Sequence, residues 1–366
     1  EAWIQSDSDA LKSPLERNES LKTVLLQETP WVAAAESESA QRARVAHWFT
    51  DGDRRLRLSE SLEALSGLQL SNGGFTWFKD MPDDRFITTQ IVTGIGRLRR
   101  MGAWPATDSV TLQRIADSGI HYLDLCMREN YTRQLAQKPK QEPGLDLTTI
   151  RYLYTRSFFP GVAMADSVGE AYRYYLRLAA KQWTSQSPYH EAMIALALFR
   201  SRDKATAAAI IKSLKERAIT DPVKGMYWKQ PAVRGDWNTA PGQTQSMMIE
   251  AFHEINGDPA IVSELCTWLL SQKRTHLWPG GNNTADAIFA LMTSGHEWIG
   301  ATPMVSVSLG DTTLFGGQTA AGAGYHKATI PGSDITPQMG KISIEAQNAG
   351  ADQPGWGAVY YKYLDQ

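Results

Sequence analysis

The chain has 366 residues, 42% of them hydrophobic, enough for one large and one small domain with a sizeable buried core. A net charge of −2, with 21% charged residues, offers no basic face for a nucleic acid, and no apolar run approaches the length of a membrane span. No signal peptide is visible and the first residue is Glu1, which reads as a processed or trimmed product.

Residues 1–300 are predicted to be mainly helical. Apolar residues recur at i, i+3, i+4 spacing over Leu56–Leu68, Val110–Met127, Ser167–Trp183, Tyr189–Arg200, Lys204–Ala218, Thr244–Ile255, Ala260–Gln272 and Ala285–Met292. Gly257-Asp258-Pro259 precedes one of these segments and places a proline at its first turn. The polar stretch Leu135–Gly144 reads as an exposed loop. A domain boundary is expected near Gly300. Beyond it, Met304–Leu309 and Ile342–Glu345 alternate as half-buried strands do, and Trp356–Tyr363 is aromatic and β-prone. Gly310-Asp311 marks a turn.

The helical part carries an imperfect repeat. A helix runs into a hairpin of glycine and aromatic residues, and a threonine-rich start opens the next helix. The first copy passes through Gly73-Gly74-Phe75-Thr76-Trp77-Phe78 to Thr88-Thr89-Gln90. The second passes through Gly225-Met226-Tyr227-Trp228 to Gln243-Thr244-Gln245, and the third through Leu277-Trp278-Pro279-Gly280 to Asn283-Thr284-Ala285. Glycine permits the tight reversal, the aromatic ring fills the gap between hairpins, and Thr or Asn caps the returning helix. One hairpin cannot bury its own apolar face, so copies must stack. Irregular spacing of the copies favours a closed α/α toroid over an open solenoid. The expected fold is therefore mainly α: an α/α toroid of helical hairpins over residues 1–300, followed by a small C-terminal antiparallel β segment over residues 301–366.

Leu65–Phe78 resembles the Gln…Gly-x-Phe hairpin of thioester domains in α-2-macroglobulins and complement proteins. Thr267–Gln272 followed by Asn283–Leu291 is similar to the Trp-Leu…Gln…Thr-x-Asp-(Thr/Ala)-x-x-Ala-Leu segment of the same family. Leu25–Val32, and the tail with Ala323-Gly324-Tyr325 and Pro354–Tyr361, are similar to segments of its large bacterial members. Prenyltransferases and terpene cyclases share the glycine/aromatic hairpin, so the order of segments is the stronger signal.

The resemblance implies a protease trap in which a Cys-x-Glu-Gln motif forms an internal thioester, shielded from water until a protease cuts a bait region. It further implies proteases as partners of the full-length protein, neighbouring macroglobulin domains in the same chain, and a periplasmic or cell-surface location. This sequence lacks Cys-x-Glu-Gln: Cys126 is followed by Met127-Arg128-Glu129-Asn130, and Cys266 by Thr267-Trp268. Either the motif stood upstream of Glu1 or this protein has lost it. The family's thioester-assisting histidine also has no counterpart, because the matching segment Phe86–Ile91 offers threonine.

No catalytic, cofactor-binding or metal-binding residue is assigned. The two cysteines sit among apolar residues and read as buried thiols; a disulfide requires a proximity that sequence does not give, which leaves the compartment open. The seven histidines show no metal-ligand spacing. Carboxylate pairs occur at Asp7/Asp9, Asp51/Asp53 and Asp83/Asp84; Asp51-Gly52-Asp53 reads as a turn with solvated charge, Asp83-Asp84 sits in the loop expected to open toward the toroid's mouth, and no Asp-x-Asp-Asp cluster is present. The glycine-rich stretches Gly316-Gly317 and Gly322–Gly324 lack a following helix and Lys-Ser/Thr, and so are not a phosphate loop.

The alternative function is an α/α-toroid polysaccharide lyase or glycoside hydrolase with a β accessory domain. In that case Tyr189 and His190 would serve proton abstraction, and Trp77, Trp228, Trp237 and Trp278 would be sugar platforms rather than hairpin plugs. The enzyme predicts a deep central cleft lined by His, Tyr, Arg and carboxylates. The trap predicts a filled toroid centre. In the family that the sequence resembles, the tail strands complete a sheet begun before the thioester domain; if that earlier half is absent here, the tail should show open edges or pack on the toroid, and a closed sandwich in 303–366 would contradict this.

Overall fold

The computed structural model describes residues 51–104, 109–137, 143–222, 224–229, 241–275, 281–295, 304–315 and 330–347. The protein is mainly helical, with a small antiparallel sheet near the C-terminus. It divides into two compact units, one covering Ala64–Trp298 and one that includes Ile299–Ala351. The expected boundary residue, Gly300, lies outside the described residues, as do Leu25–Val32, Trp237, Trp278, the 316–324 glycines and Trp356–Tyr363.

Ten helices are described: α1 (Asp51–Gly67), α2 (Arg85–Arg100), α3 (Ser109–Gln137), α4 (Leu147–Arg156), α5 (Asp166–Gln182), α6 (Pro188–Arg200), α7 (Lys204–Glu216), α8 (Pro241–Ala251), α9 (Pro259–Thr275) and α10 (Gly281–Ser294). Their starts follow local chemistry. Asp84 caps α2 by accepting from Ile87 N at 2.9 Å, Asp146 caps α4 through Thr149 N at 2.7 Å, and Asp203 caps α7 through Thr206 N at 3.1 Å. Pro188 opens α6, where its missing N–H costs nothing. Two expectations need correction. Helix α3 continues to Gln137, into the stretch read as a loop from Leu135, and α4 occupies a segment not anticipated as a helix.

From α2 onward, inner and outer helices alternate. The inner helices α2, α4, α6, α8 and α10 pack in that order, while α3, α5, α7 and α9 pack against their outer sides. The inner helices are parallel, because early residues meet early residues and late meet late. Phe86 meets Arg151 near the starts of α2 and α4, and Arg97 meets Tyr154 near their ends. Arg200 at the end of α6 meets Glu250 at the end of α8, and Gly242 meets Asn283 at the starts of α8 and α10. The ring closes between its first and last members: Arg97 pairs with Asp286 of α10 and lies 4.8 Å over the Phe289 ring. The expected toroid is therefore present. Burial follows the same order, with every residue from Tyr189 to Leu198 of α6 and from Thr244 to Ala251 of α8 buried.

Two hairpins of the repeat can be compared directly; the second carries the short antiparallel strands β1 (Ile219–Asp221) and β2 (Gly225–Tyr227). Gly73 has φ +90° and Gly225 has φ +80°, a region that side chains disfavour. A Cβ on Gly73 would lie 2.2 Å from Ser118 O of α3, and one on Gly225 would lie 2.1 Å from Glu264 O of α9. Each hairpin thus packs its backbone onto the outer helix that follows it. A glutamine fastens each contact. Gln69 donates to Gly73 O at 3.1 Å and Ile115 O at 3.0 Å; Gln245 donates to Met226 O at 2.8 Å and Leu265 O at 2.9 Å.

In the other unit, β3 (Met304–Leu309) pairs antiparallel with β4 (Thr312–Phe315) and β5 (Ile342–Gln347), in the order β4-β3-β5. Gly310, at φ +57°, turns the chain from β3 to β4 and donates to Lys341 O at 2.7 Å. Val307 faces Ile344 and Leu309 faces Ile342, so these apolar residues share one face of the sheet. Leu309 is buried, but Ile344 is 60% exposed. Among the described residues, no further strand pairs with the outer edges of β4 and β5.

Candidate functional site

Arg97, Tyr154, Arg200 and Glu250 meet towards the late end of the ring, where Arg97 also reaches Asp286 in the second turn of α10. The Tyr154 hydroxyl donates to Glu250 Oε2 at 2.6 Å and accepts from Arg97 Nε at 3.3 Å. Arg200 donates to Glu250 Oε1 at 2.6 Å and to Glu254 Oε2 at 2.7 Å, and reaches Ser157 Oγ at 3.1 Å. Arg100 joins Glu254 at 2.9 Å. Asp286 holds Arg97 on one oxygen and accepts from Gln243 at 3.1 Å on the other. Three guanidinium groups therefore meet three carboxylates, so the formal charges of the cluster balance.

Burial makes this balance necessary, since Tyr154 and Glu250 are 1% and 2% exposed. Desolvation alone would lower the Arg97 pKa; the Tyr154 oxygen and the Asp286 and Glu250 carboxylates outweigh it and raise the pKa well above its ordinary value. Burial also pushes the Tyr154 pKa well up, against the pull of Arg97. Both groups stay protonated at any physiological pH. The centre of the ring at this end is thus filled by mutually satisfied side chains.

The early end of the ring differs. Arg151, in the second turn of α4, lies 4.9 Å over the Phe86 ring, and its buried Nε has no hydrogen-bond partner. Asn283, in the first turn of α10, is 2% exposed, and its carbonyl oxygen is buried without a partner against the Gly242 backbone. Tyr189, in the first turn of α6, is buried, and burial is the main cause that pushes its pKa up; Asp286, Arg97 and Arg151 all reach it electrostatically. Helix α6 begins without a side-chain cap, because the Ser187 hydroxyl is engaged by His190 Nδ1 at 2.8 Å.

The residues weighed from sequence take structural places. His190 is 3% exposed and packs edge-on against Tyr189. Glu191 is 1% exposed and paired with Arg217. Asp84 is the α2 cap, and Asp83 accepts from Tyr122 at 2.5 Å and from Asn72 at 3.3 Å, so this pair fixes the hairpin loop. The Tyr122 hydrogen bond is the largest cause holding the Asp83 carboxyl below its ordinary range. Thr88, in the segment aligned with the assisting histidine, accepts from Phe75 N at 2.8 Å and donates to Asp84 O at 2.7 Å.

Trp228 is a hairpin plug, buried and donating to Leu214 O at 2.9 Å. Trp77 is not: it is 44% exposed and stacks beside Phe86, while Phe75 fills the first hairpin. Both cysteines are free thiols. Cys266 is fully buried, which pushes its pKa up to about 12, whereas Cys126 is only partly buried, so its expected burial is incomplete.

Sequence reasoning passed over Arg97, Arg151, Arg200 and Glu250. A signal existed for Glu250, a lone carboxylate inside Met247-Met248-Ile249-Glu250-Ala251-Phe252. A charge within an apolar helical run is a candidate for a paired interior position. Asp286 belongs to the Thr284-Ala285-Asp286-Ala287 motif, and its place in the structure is ring closure. Among the described residues, no group of three His, Cys, Asp or Glu could hold a metal ion, and no helix is long and apolar enough to cross a membrane. No protein-family model and no curated protein matches the sequence.

Proposed function

We propose that the chain is a non-enzymatic part of a bacterial α-2-macroglobulin-like protease trap, acting outside the cytoplasm through its full-length protein. One observation carries this reading against a toroid enzyme. Where such an enzyme would keep an open cleft of free acids and bases, the late end of the ring holds a closed network in which Arg97, Arg200, Glu250, Glu254 and Asp286 are all paired. A carboxylate held between guanidinium groups is poorly suited to take up a substrate proton. His190 supports the same conclusion, being buried with Nδ1 already engaged by Ser187. The order of the Gln69, Gly73–Phe75, Trp268 and Thr284–Asp286 segments supports the resemblance to that family.

The test is inhibition by the full-length protein. Endopeptidases are incubated with it, and cleavage of a large protein substrate is compared with cleavage of a short peptide. An enclosed protease loses the first activity and keeps the second. Unchanged cleavage of both across a broad panel overturns the proposal. So does turnover of a uronic-acid polysaccharide that His190→Ala abolishes.

A further inference from the structure

We propose that Glu191 and Arg217 form an acid-released latch between the inner helix α6 and the junction of α7 with the hairpin that follows it. Glu191, in the first turn of α6, is 1% exposed. Arg217 is the C-cap of α7 and leads through Ala218 into β1. Helices α6 and α7 are packed neighbours joined by a short turn, so the start of the first meets the end of the second, and Arg217 Nη2 donates to Glu191 Oε2.

The pair is one-sided, with side-chain exposures of 2% for Glu191 and 44% for Arg217. Other buried carboxylates have at least two partners: Glu250 is held by Tyr154 and Arg200, Asp124 by Tyr152 and Arg156, and Asp286 by Arg97 and Gln243. Among the described residues, Arg217 is the one hydrogen-bonding or ion-pairing side chain on Glu191. A guanidinium that stays hydrated returns only part of what burying a carboxylate costs. Burial is accordingly the largest influence on Glu191 and raises its pKa, with Arg217 pulling the other way. No charged group of α4, α5 or α8, the other helices packed on α6, contributes to this balance. Beside the pair on its own helices lie His190, whose Nδ1 is engaged by Ser187, and the exposed Lys215 and Glu216.

A proton taken up from solvent makes the Glu191 carboxyl neutral. It then fits its buried place better and attracts Arg217 less. Arg217 keeps one further hydrogen bond, from Nε to Ser213 O at 3.1 Å within its own helix. The release is local. A carboxyl whose pKa is raised by folding makes the fold less stable as pH climbs from the unfolded to the folded value, so acidification through that window adds stability. Leu214 O, on the preceding turn, still accepts from the Trp228 indole at 2.9 Å. Mild acid therefore frees the start of the hairpin while the plug at its end stays seated.

The test uses the full chain and follows arginine Nε–H and tryptophan Nε1–H resonances by ¹H–¹⁵N NMR from about pH 8 to about pH 4, a range that includes the ordinary glutamate value of about 4.3. The Arg217 resonance, missing from Arg217→Lys, should shift in a one-proton step with its midpoint above that value. Glu191→Gln should abolish the step, and Glu216→Gln should keep it. The Trp228 resonance, missing from Trp228→Phe, should hold its place. The Glu191 side-chain carboxyl carbon, observed in the parent chain, should titrate with the Arg217 midpoint, which keeps the test independent of whether Glu191→Gln folds. Circular dichroism checks the fold of each variant. No step at Arg217, a step that survives Glu191→Gln or is lost in Glu216→Gln, or different midpoints for Glu191 and Arg217 overturns the latch. A Trp228 shift with the same midpoint overturns the local release.

Discussion

The two ends of the inner ring are built from the same five helices and solve the problem of buried polarity in opposite ways. At the late end, Arg97, Arg200 and Arg100 meet Glu250, Glu254 and Asp286, with Tyr154 between them. At the early end, Arg151 rests on an aromatic ring and Asn283 on a glycine backbone, each with a buried atom unpaired. A saturated network resists change, because each group is held by several others. An unsaturated one leaves the cost of each unpaired buried atom in the folded state.

The largest consequence is expected at the late end. Glu250→Ala removes the acceptor for both Tyr154 and Arg200 and weakens the environment of Arg97. Breaking a buried pair by deleting one partner costs about 3–5 kcal/mol, since the surviving charge stays buried. Urea denaturation of the full chain should show a loss of this size. A loss under about 1 kcal/mol would mean that the network is open to water and the ring centre is not filled.

The hairpins come next. Gly225→Ala and Gly73→Ala each combine a disfavoured positive φ with a Cβ driven into an outer-helix carbonyl. The conformational part costs about 1–2 kcal/mol and the forced displacement about 1–3 kcal/mol more. Gly102 is the control: it has φ +65° with nothing within 4 Å of its would-be Cβ, so Gly102→Ala should lose only about 1–2 kcal/mol. Equal losses at all three positions, measured by the same denaturation, would show that close packing of hairpin on helix contributes nothing.

The repeat was legible in the sequence because it depends on local chemistry. Gly73 and Gly225 mark positive φ, and the segments around them alternate helix and hairpin as the periodicity implies. Helix α4 was hidden because Leu147–Arg156 holds three threonines, two tyrosines and an isoleucine, a composition that favours strands in isolation. Here the Asp146 cap and burial between α2 and α6 override propensity. The candidate site was less legible than the fold. Arg97 and Asp286 are 189 positions apart, and only closure of the ring brings them together. Arg151 looks like any arginine on a helix until it is seen to lie over the Phe86 ring of another helix.

At the early end, Arg151→Met should barely affect stability. It removes a cation–π contact worth about 0.5–1 kcal/mol and with it the cost of a buried unpaired N–H, and Met fills similar volume. The net change in denaturation free energy should stay within about 1 kcal/mol, well short of the Glu250→Ala loss. A loss as large as that of Glu250→Ala would erase the distinction between the two ends.

The smallest effect is electrostatic and lies in the hairpin loop that leads into α2. Asp83 is held below the ordinary carboxylate range chiefly by the Tyr122 hydroxyl, with Asn72 and Arg85 adding to it. A carboxyl depressed in the folded state contributes stability above its unfolded pKa and loses it as pH falls through the folded value. For Asp83 that window lies below about pH 4, so neutral-pH stability contains the full contribution and mild acid does not remove it. Tyr122→Phe deletes the main cause while keeping the ring beside Gly74. The Asp83 carboxyl resonance should then titrate at a higher pH than in the parent chain, and the loop should loosen at a correspondingly higher pH. An unchanged Asp83 midpoint in Tyr122→Phe would show that the 2.5 Å contact is not what anchors this loop to α3.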